Sequence, residues 1–280
     1  MERKRAWYRT KTFEDWDELE RELEGLYLDR GGAGEPNRWI FRGVPNVSYG
    51  LLNSLERELS SNPYWATKPA EAERFVIGQY KKSAHHYVSD LPRETPEIEW
   101  LALMQHHGAP TRLLDWTRSP YVALFFALRG AHSSRDNSAV WVLNIKYCTW
   151  VACEAFRKAL RLKRSPSPQD LFDLSQRKVL PVVFPIEPSR ANARLAIQQG
   201  VLLYPGDVSK SFDENLSGGV GMDDMRRFEI VRDLIQIGMH RLHMMNINHA
   251  TLFPGIDGFS ASMKDLLWAH EHIPERDVAV

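Results

Sequence analysis

Cysteine is nearly absent from this chain: 280 residues contain only Cys148 and Cys153, and they form no CxxC pair. No disulfide framework is on offer, and none is required, because a chain of this length can bury roughly three quarters of its unfolded surface. Neither cysteine has the flanking positive charge and histidine that activate a thiol nucleophile. Net charge is missing too, since 36 basic and 36 acidic residues cancel, so no global field recruits nucleic acid or anionic lipid. The longest apolar run is the eight residues Tyr121 to Leu128, far short of the roughly 20 that span a bilayer. The charged start MERKRAWYRTK leads into no apolar signal core. A cytoplasmic protein without membrane contact is expected. The sequence also lacks GxxxxGK(S/T), a GxGxxG after a strand, GxSxG and HExxH, which removes the common nucleotide, serine-hydrolase and zincin readings. His240 and His243, and the pair His270 and His272 around Glu271, are not read as metal ligands.

What is present concentrates between Trp100 and Leu128, WLALMQHHGAPTRLLDWTRSPYVALFFAL. Trp100, Leu103, Met104 and His107 share one helical face, and Gly108 and Pro110 end the helix. Arg112 to Thr117 alternates as a strand, with Leu114 and Trp116 on one side and Leu113, Asp115 and Thr117 on the other. Ser119-Pro120 is a helix start, and the YVALFFAL that follows has no polar face, which predicts burial on all sides. A buried helix N-terminus beside Asp115 and Thr117 is a phosphate-site geometry. The alternative is that Ser119 only caps and Asp115 only pairs with Arg112. His106 and His107, beside Asp115, are candidates for charge-tuned imidazoles in a pocket.

Elsewhere, Thr12 is placed to cap a helix carrying Phe13, Trp16, Leu19, Leu23 and Leu26 on one side. This gives an N-terminal packing helix over residues 1–30, and GGAGEPN connects it to a single globular domain over 38–272. NRWIFRG reads as a strand with Arg42 on the face of Ile40; a guanidinium there needs a planar anionic partner, and Gly43 would let a ligand approach the backbone. AVWVLNI (139–145) reads as a buried strand and 151–162 as a helix with a basic stripe of Arg157, Arg161 and Arg164. VLPVVF reads as an edge strand, and ARLAIQQGVLLY as a central strand with Gln198 and Gln199 at its middle. Residues 205–224 read as a polar loop, and 226–239 as a helix.

Three segments, Phe41-Arg42-Gly43, the 100–128 stretch and RLAIQQGVLLY, together with the trailing LFPGIDG, resemble the FRG domain, named for its Phe/Tyr-Arg-Gly motif. That family resembles a module of bacterial and phage conflict, including phage defence. A looser similarity runs to ADP-ribosyltransferases, which carry an aromatic-Arg-Gly strand, a Ser/Thr strand followed by an apolar helix, and a late strand bearing Glu or Gln. The resemblance implies an α+β fold with a mixed, split β-sheet packed by helices, and NAD as substrate. Arg42 would hold its phosphates or ribose, Gly43 would meet the nicotinamide amide, and Thr117 and Ser119 would stand at the second motif. Gln198 or Gln199 would stand at the third, with His107 or Asp115 as another base. Arg112, Asp115 and His106 complete the expected binding set. The expectation is thus a composite site of Arg42, Thr117 and the glutamine pair, acting as a transferase on a protein or nucleic-acid acceptor. The alternatives are a non-catalytic nucleotide- or protein-binding module, or a nucleic-acid activity resting on the basic stripe.

Overall fold

The computed structural model describes residues 7–29, 38–88, 95–131, 136–189 and 193–269. The chain opens with strand β1 (Arg9–Phe13) and helix α1 (Trp16–Leu28). Thr12 is a strand residue; Asp15 caps α1 instead, its carboxylate accepting the Glu18 N–H at 2.8 Å. Trp16, Leu19, Leu23 and Leu26 are buried as their spacing predicts. The connection at 31–37 lies outside the described residues. Strand β2 (Trp39–Val44) follows, then α2 (Ser54–Ser60), held by a reciprocal Asn53/Glu56 cap. Helices α3 (Pro63–Ala66) and α4 (Pro69–Ser83) each start on a proline, which gives up no helical hydrogen bond there.

Helix α5 (Glu97–His106) leads into β3 (Leu114–Thr117), α6 (Pro120–Leu128), β4 (Ser138–Asn144) and α7 (Ile145–Ala159). After them come α8 (Leu171–Arg177), β5 (Val183–Ile186), α9 (Ala193–Ile197), β6 (Gly200–Pro205), α10 (Phe212–Ser217) and β7 (Met225–Ile230). Helices α11 (Ile235–Met244), α12 (His249–Leu252) and α13 (Ile256–Ala269) complete the order. No helix among the described residues is long and apolar enough to cross a membrane.

The architecture is α+β: one continuous, mixed seven-stranded sheet, rather than a split one, in the order β1-β7-β4-β2-β3-β6-β5. Among the described residues only β1 and β7 pair in parallel. On one face, Phe41, Val140, Val142 and Phe228 pack against α1, α6 and α11. On the other, Ile40, Val44, Leu114, Trp116, Trp141 and Leu143 form a second core with Phe212 and Leu216 of α10. A third cluster lies where α4, α5, α7 and α8 meet β5 and β6.

Several sequence expectations change. The segment ARLAIQQGVLLY is a helix, a turn and then a strand. Ala, Arg and Leu are good helix formers, the turn places Gln199 at φ +48°, and a Cβ on Gly200 would come within 2.3 Å of Leu195 Cδ1. Gln198 and Gln199 are therefore turn residues, and Gln199 is exposed. Residues 225–230 form β7, not a helix, because β4 and β1 take up both of its edges and their pairing outweighs local propensity. The expected loop at 205–224 contains α10, which carries its own Ser211/Glu214 cap. The basic stripe does not hold together: Arg157 pairs with Glu154, and Arg161 lies past the helix at φ +54°.

Candidate functional site

The pleat decides which of the expected residues meet. Phe41 is paired with Thr117 across β2 and β3, so these two share a face. Arg42 lies on the other, the face of Ile40 and Trp116. Of the expected composite of Arg42, Thr117 and the glutamines, the sheet sets the Arg42 side chain on the opposite face from that of Thr117.

On its own face Arg42 belongs to a row. The register sets it opposite Trp141, and Trp141 opposite Arg227, while Trp116 stands beside Arg42 on β3. Arg42 Nη1 donates to the backbone carbonyl of Asp115. The Nε of Arg42, Nε1 of Trp116, Nε1 of Trp141 and Nε of Arg227 are all buried, with no hydrogen-bond partner among the described residues. Tyr8 meets Trp141 edge-on at 4.7 Å, and the Arg227 guanidinium lies 5.3 Å from the Tyr8 ring and 5.4 Å from that of Trp141. Arg227 also pairs with Glu229. Burial holds the Arg42 guanidinium below its usual pKa; Asp115 opposes this and Arg57 adds to it.

Two carboxylic acids beyond Arg57 share this side. Burial raises Glu56 to about 7, with backbone hydrogen bonding lowering it and Asp213 raising it further. Burial, with Glu214 adding, raises Asp213 to about 6. Because the folded-state pKa of Glu56 is raised, its folded form holds the proton more tightly than the unfolded chain does. Stability is then lost as pH rises from about 4.5 through about 7. Glu56→Gln, which can keep the helix cap, should flatten that loss. The variant is expected to melt above wild type at pH 8 and close to it at pH 4.5, and an equal gap at both pH values would contradict this.

Gly43 packs against helix α6. A Cβ there would stand 1.9 Å from the Ala123 carbonyl oxygen and 2.5 Å from the Ala127 backbone nitrogen, so the glycine is what lets α6 lie against β2. Arg112, expected in the binding set, sits in an internal ion pair. Its Nε and Nη2 bond both carboxylate oxygens of buried Glu73, its Nη1 reaches the Pro205 carbonyl at 3.3 Å, and it lies 4.8 Å from the Tyr204 ring centroid.

On the opposite face, Thr117 Oγ1 donates to the Gln198 carbonyl at 2.6 Å and accepts the Ser119 N–H at 3.0 Å. Ser119 caps α6 by accepting the Val122 N–H at 3.3 Å. The amide of Gln198 donates to the Leu252 carbonyl at 3.0 Å, and the Gln199 carbonyl accepts the Arg118 N–H at 2.9 Å. Thr117 and the glutamines are therefore brought together, with these polar atoms committed to one another and to the backbone. Exposed Asp115 accepts from the Gln105 amide at 2.6 Å. His107 is exposed at the end of α5.

Beside this knot is a cavity of about 490 Å³ lined by His106, Arg194, His249, Phe253, Pro254 and Asp257, among others. Three quoted segments, QHHG, RLAIQQ and LFPGIDG, converge here. His249 was not anticipated; its HA dipeptide carries no sequence signal, and only α12 and α13 bring it in. Its ring stacks on Phe253 at 4.6 Å and meets Phe125 edge-on, and its Nδ1 lies 3.4 Å from Asp265 Oδ2. The Arg194 guanidinium lies 4.5 Å from the Phe253 ring centroid. Burial lowers the pKa of His106, with His107 and Arg194 adding to it. Burial and Arg129 lower that of His249, against Asp265.

Residues 37–136 match the family model for the FRG domain. That segment is similar to the FRG domain. The matched segment holds Arg42, Gly43, His106, His107, Arg112, Asp115, Thr117 and Ser119, while Gln198, Gln199, Arg194 and His249 lie beyond it. No curated protein and no solved structure matches the chain. The FRG arginine is thus the centre of the donor row, and the FRG glycine is the contact between β2 and α6.

Proposed function

We propose that this FRG-like domain is a nucleotide-binding module, with NAD the first ligand to try, and that Arg42, Trp116, Trp141 and Arg227 form its platform. The observation that carries this is the row itself: four buried N–H donors on one sheet face with no acceptor among the described residues. A buried donor left unmatched costs about 1–3 kcal/mol. A run of them around two guanidinium groups favours an anionic, acceptor-rich ligand. Indole and phenol rings beside those cations also suit a planar base. Phosphates facing Arg42 and Arg227, and a base against Tyr8 or the indoles, satisfy both requirements.

Thermal-shift and calorimetric titration of the full chain with NAD test the reading. Arg42→Ala is expected to weaken binding about 10- to 100-fold, the worth of a charge-assisted hydrogen bond of about 1.5–3 kcal/mol, while leaving the circular dichroism spectrum unchanged. No shift of the wild type with NAD, ADP-ribose or AMP overturns it. Nicotinamide release that vanishes in Arg42→Ala would extend the module to an ADP-ribosyltransferase, with a macromolecular acceptor still to be found.

A further inference from the structure

The cavity on the opposite face from Arg42 is not used by that reading. Its wall holds one guanidinium, Arg194, and two imidazoles, His106 and His249. Arg194 is close enough to both rings to disfavour their protonated forms. His249 is almost fully buried, and its Nδ1 lacks a well-directed hydrogen bond among the described residues even though Asp265 lies near. The carboxylates at hand are Asp265, behind the ring and shared with Arg129 at 3.8 Å, and Asp257, on the exposed rim. Three nitrogen-bearing side chains thus line one space, with the exposed Asp257 also on its wall and Asp265 beside His249. A group carrying two negative charges complements that arrangement, and it would draw protons onto the imidazoles as it entered.

We propose that this pocket binds a phosphate-bearing small molecule, its phosphate held by Arg194, His106 and His249 and its carrier filling the remaining cavity beside Phe253 and Pro254. A space of about 490 Å³ is larger than a phosphate alone needs and lies within the range of small-ligand pockets, roughly 300–1,000 Å³. Thr117 and Gln198 contribute indirectly: the Thr117–Gln198–Leu252 hydrogen bonds tie the α9 turn to α12 and so hold Arg194 and His249 across from each other.

The groups that set the pH response are Asp265, Asp257, Arg129 and Arg194 around His249, and His107 and Arg194 around His106. Because the ligand favours the protonated imidazoles, affinity should fall as pH rises, by about tenfold per pH unit for each proton taken up on binding. The test is proton NMR of the histidine rings in the full chain, titrated with AMP and, separately, with inorganic phosphate. AMP is expected to move the His106 and His249 resonances and raise both titration midpoints. Arg194→Gln should remove the effect, Arg194→Lys should restore part of it, and Arg42→Gln should leave it in place, which separates this site from the NAD platform. Resonances that do not move with AMP, that move equally in Arg194→Gln, or that respond to inorganic phosphate alone overturn the proposal.

Discussion

Gly43→Ala is expected to destabilise the protein by about 3 kcal/mol or more. The added methyl would have to occupy space 1.9 Å from the Ala123 carbonyl oxygen and 2.5 Å from the Ala127 nitrogen. Both are backbone atoms, so no rotamer change relieves the contact, and shortening Ala123 to glycine would not help. Neither element can retreat. Strand β2 is held between β3 and β4, and α6 is packed with Val122, Ala123, Leu124, Phe125, Ala127 and Leu128 all buried. Overpacking in a well-packed core usually costs about 1–3 kcal/mol, and a clash with two fixed backbones belongs at or above the upper end. Against a total stability of about 5–15 kcal/mol, that loss is large. Urea denaturation of Gly43→Ala, alone and with Ala123→Gly, measures it. A midpoint within a few tenths molar of wild type, or rescue by Ala123→Gly, would mean that helix and strand are not locked as described.

Breaking the Glu73–Arg112 pair should cost as much. Both residues are buried, and the carboxylate takes two of the guanidinium's donors while Pro205 and Tyr204 occupy the rest of its surroundings. Glu73→Ala leaves an uncompensated charge inside, a change that typically costs about 3–5 kcal/mol, whereas replacing both partners by apolar residues of similar volume is often neutral. Glu73→Ala should therefore unfold at much lower denaturant than Glu73→Leu/Arg112→Met, and the double variant should bind NAD as wild type does. If the double variant folds but loses NAD, Arg112 is a ligand residue after all. If it is no more stable than the single variant, the pair is not an isolated internal contact.

The contrast between these two arginines shows how far the sequence could be read. Arg42 was visible because it breaks an apolar strand, and the alternation of NRWIFRG placed it on the face of Ile40 correctly. Arg112 looked ligand-facing as well, since Glu73 lies 39 residues earlier on helix α4 and pairing over that separation leaves no local pattern. Asp15 rather than Thr12 caps α1 because pairing with β7 extends β1 through Phe13. The glutamine pair was read into a strand because apolar alternation runs through ARLAIQQGVLLY, whereas only Gly200 and the positive φ of Gln199 mark the break. Which face each motif occupies depended on strand order, and strand order rests on contacts between distant residues. His249 and Arg194 entered the picture only through that packing.

The order of strands also bears on how the molecule comes to exist. Among the described residues, the segment that carries the FRG match supplies β2 and β3, and their outer neighbours, β4 and β6, are made later. Strand β1 cannot pair with β7 until β7 has been synthesised some two hundred residues on. Loop-closure entropy must be met before such distant contacts return anything, so assembly is expected to be slow and to hinge on the late strands. The recognisable part of the sequence supplies the middle of a sheet whose two sides are written elsewhere in the chain.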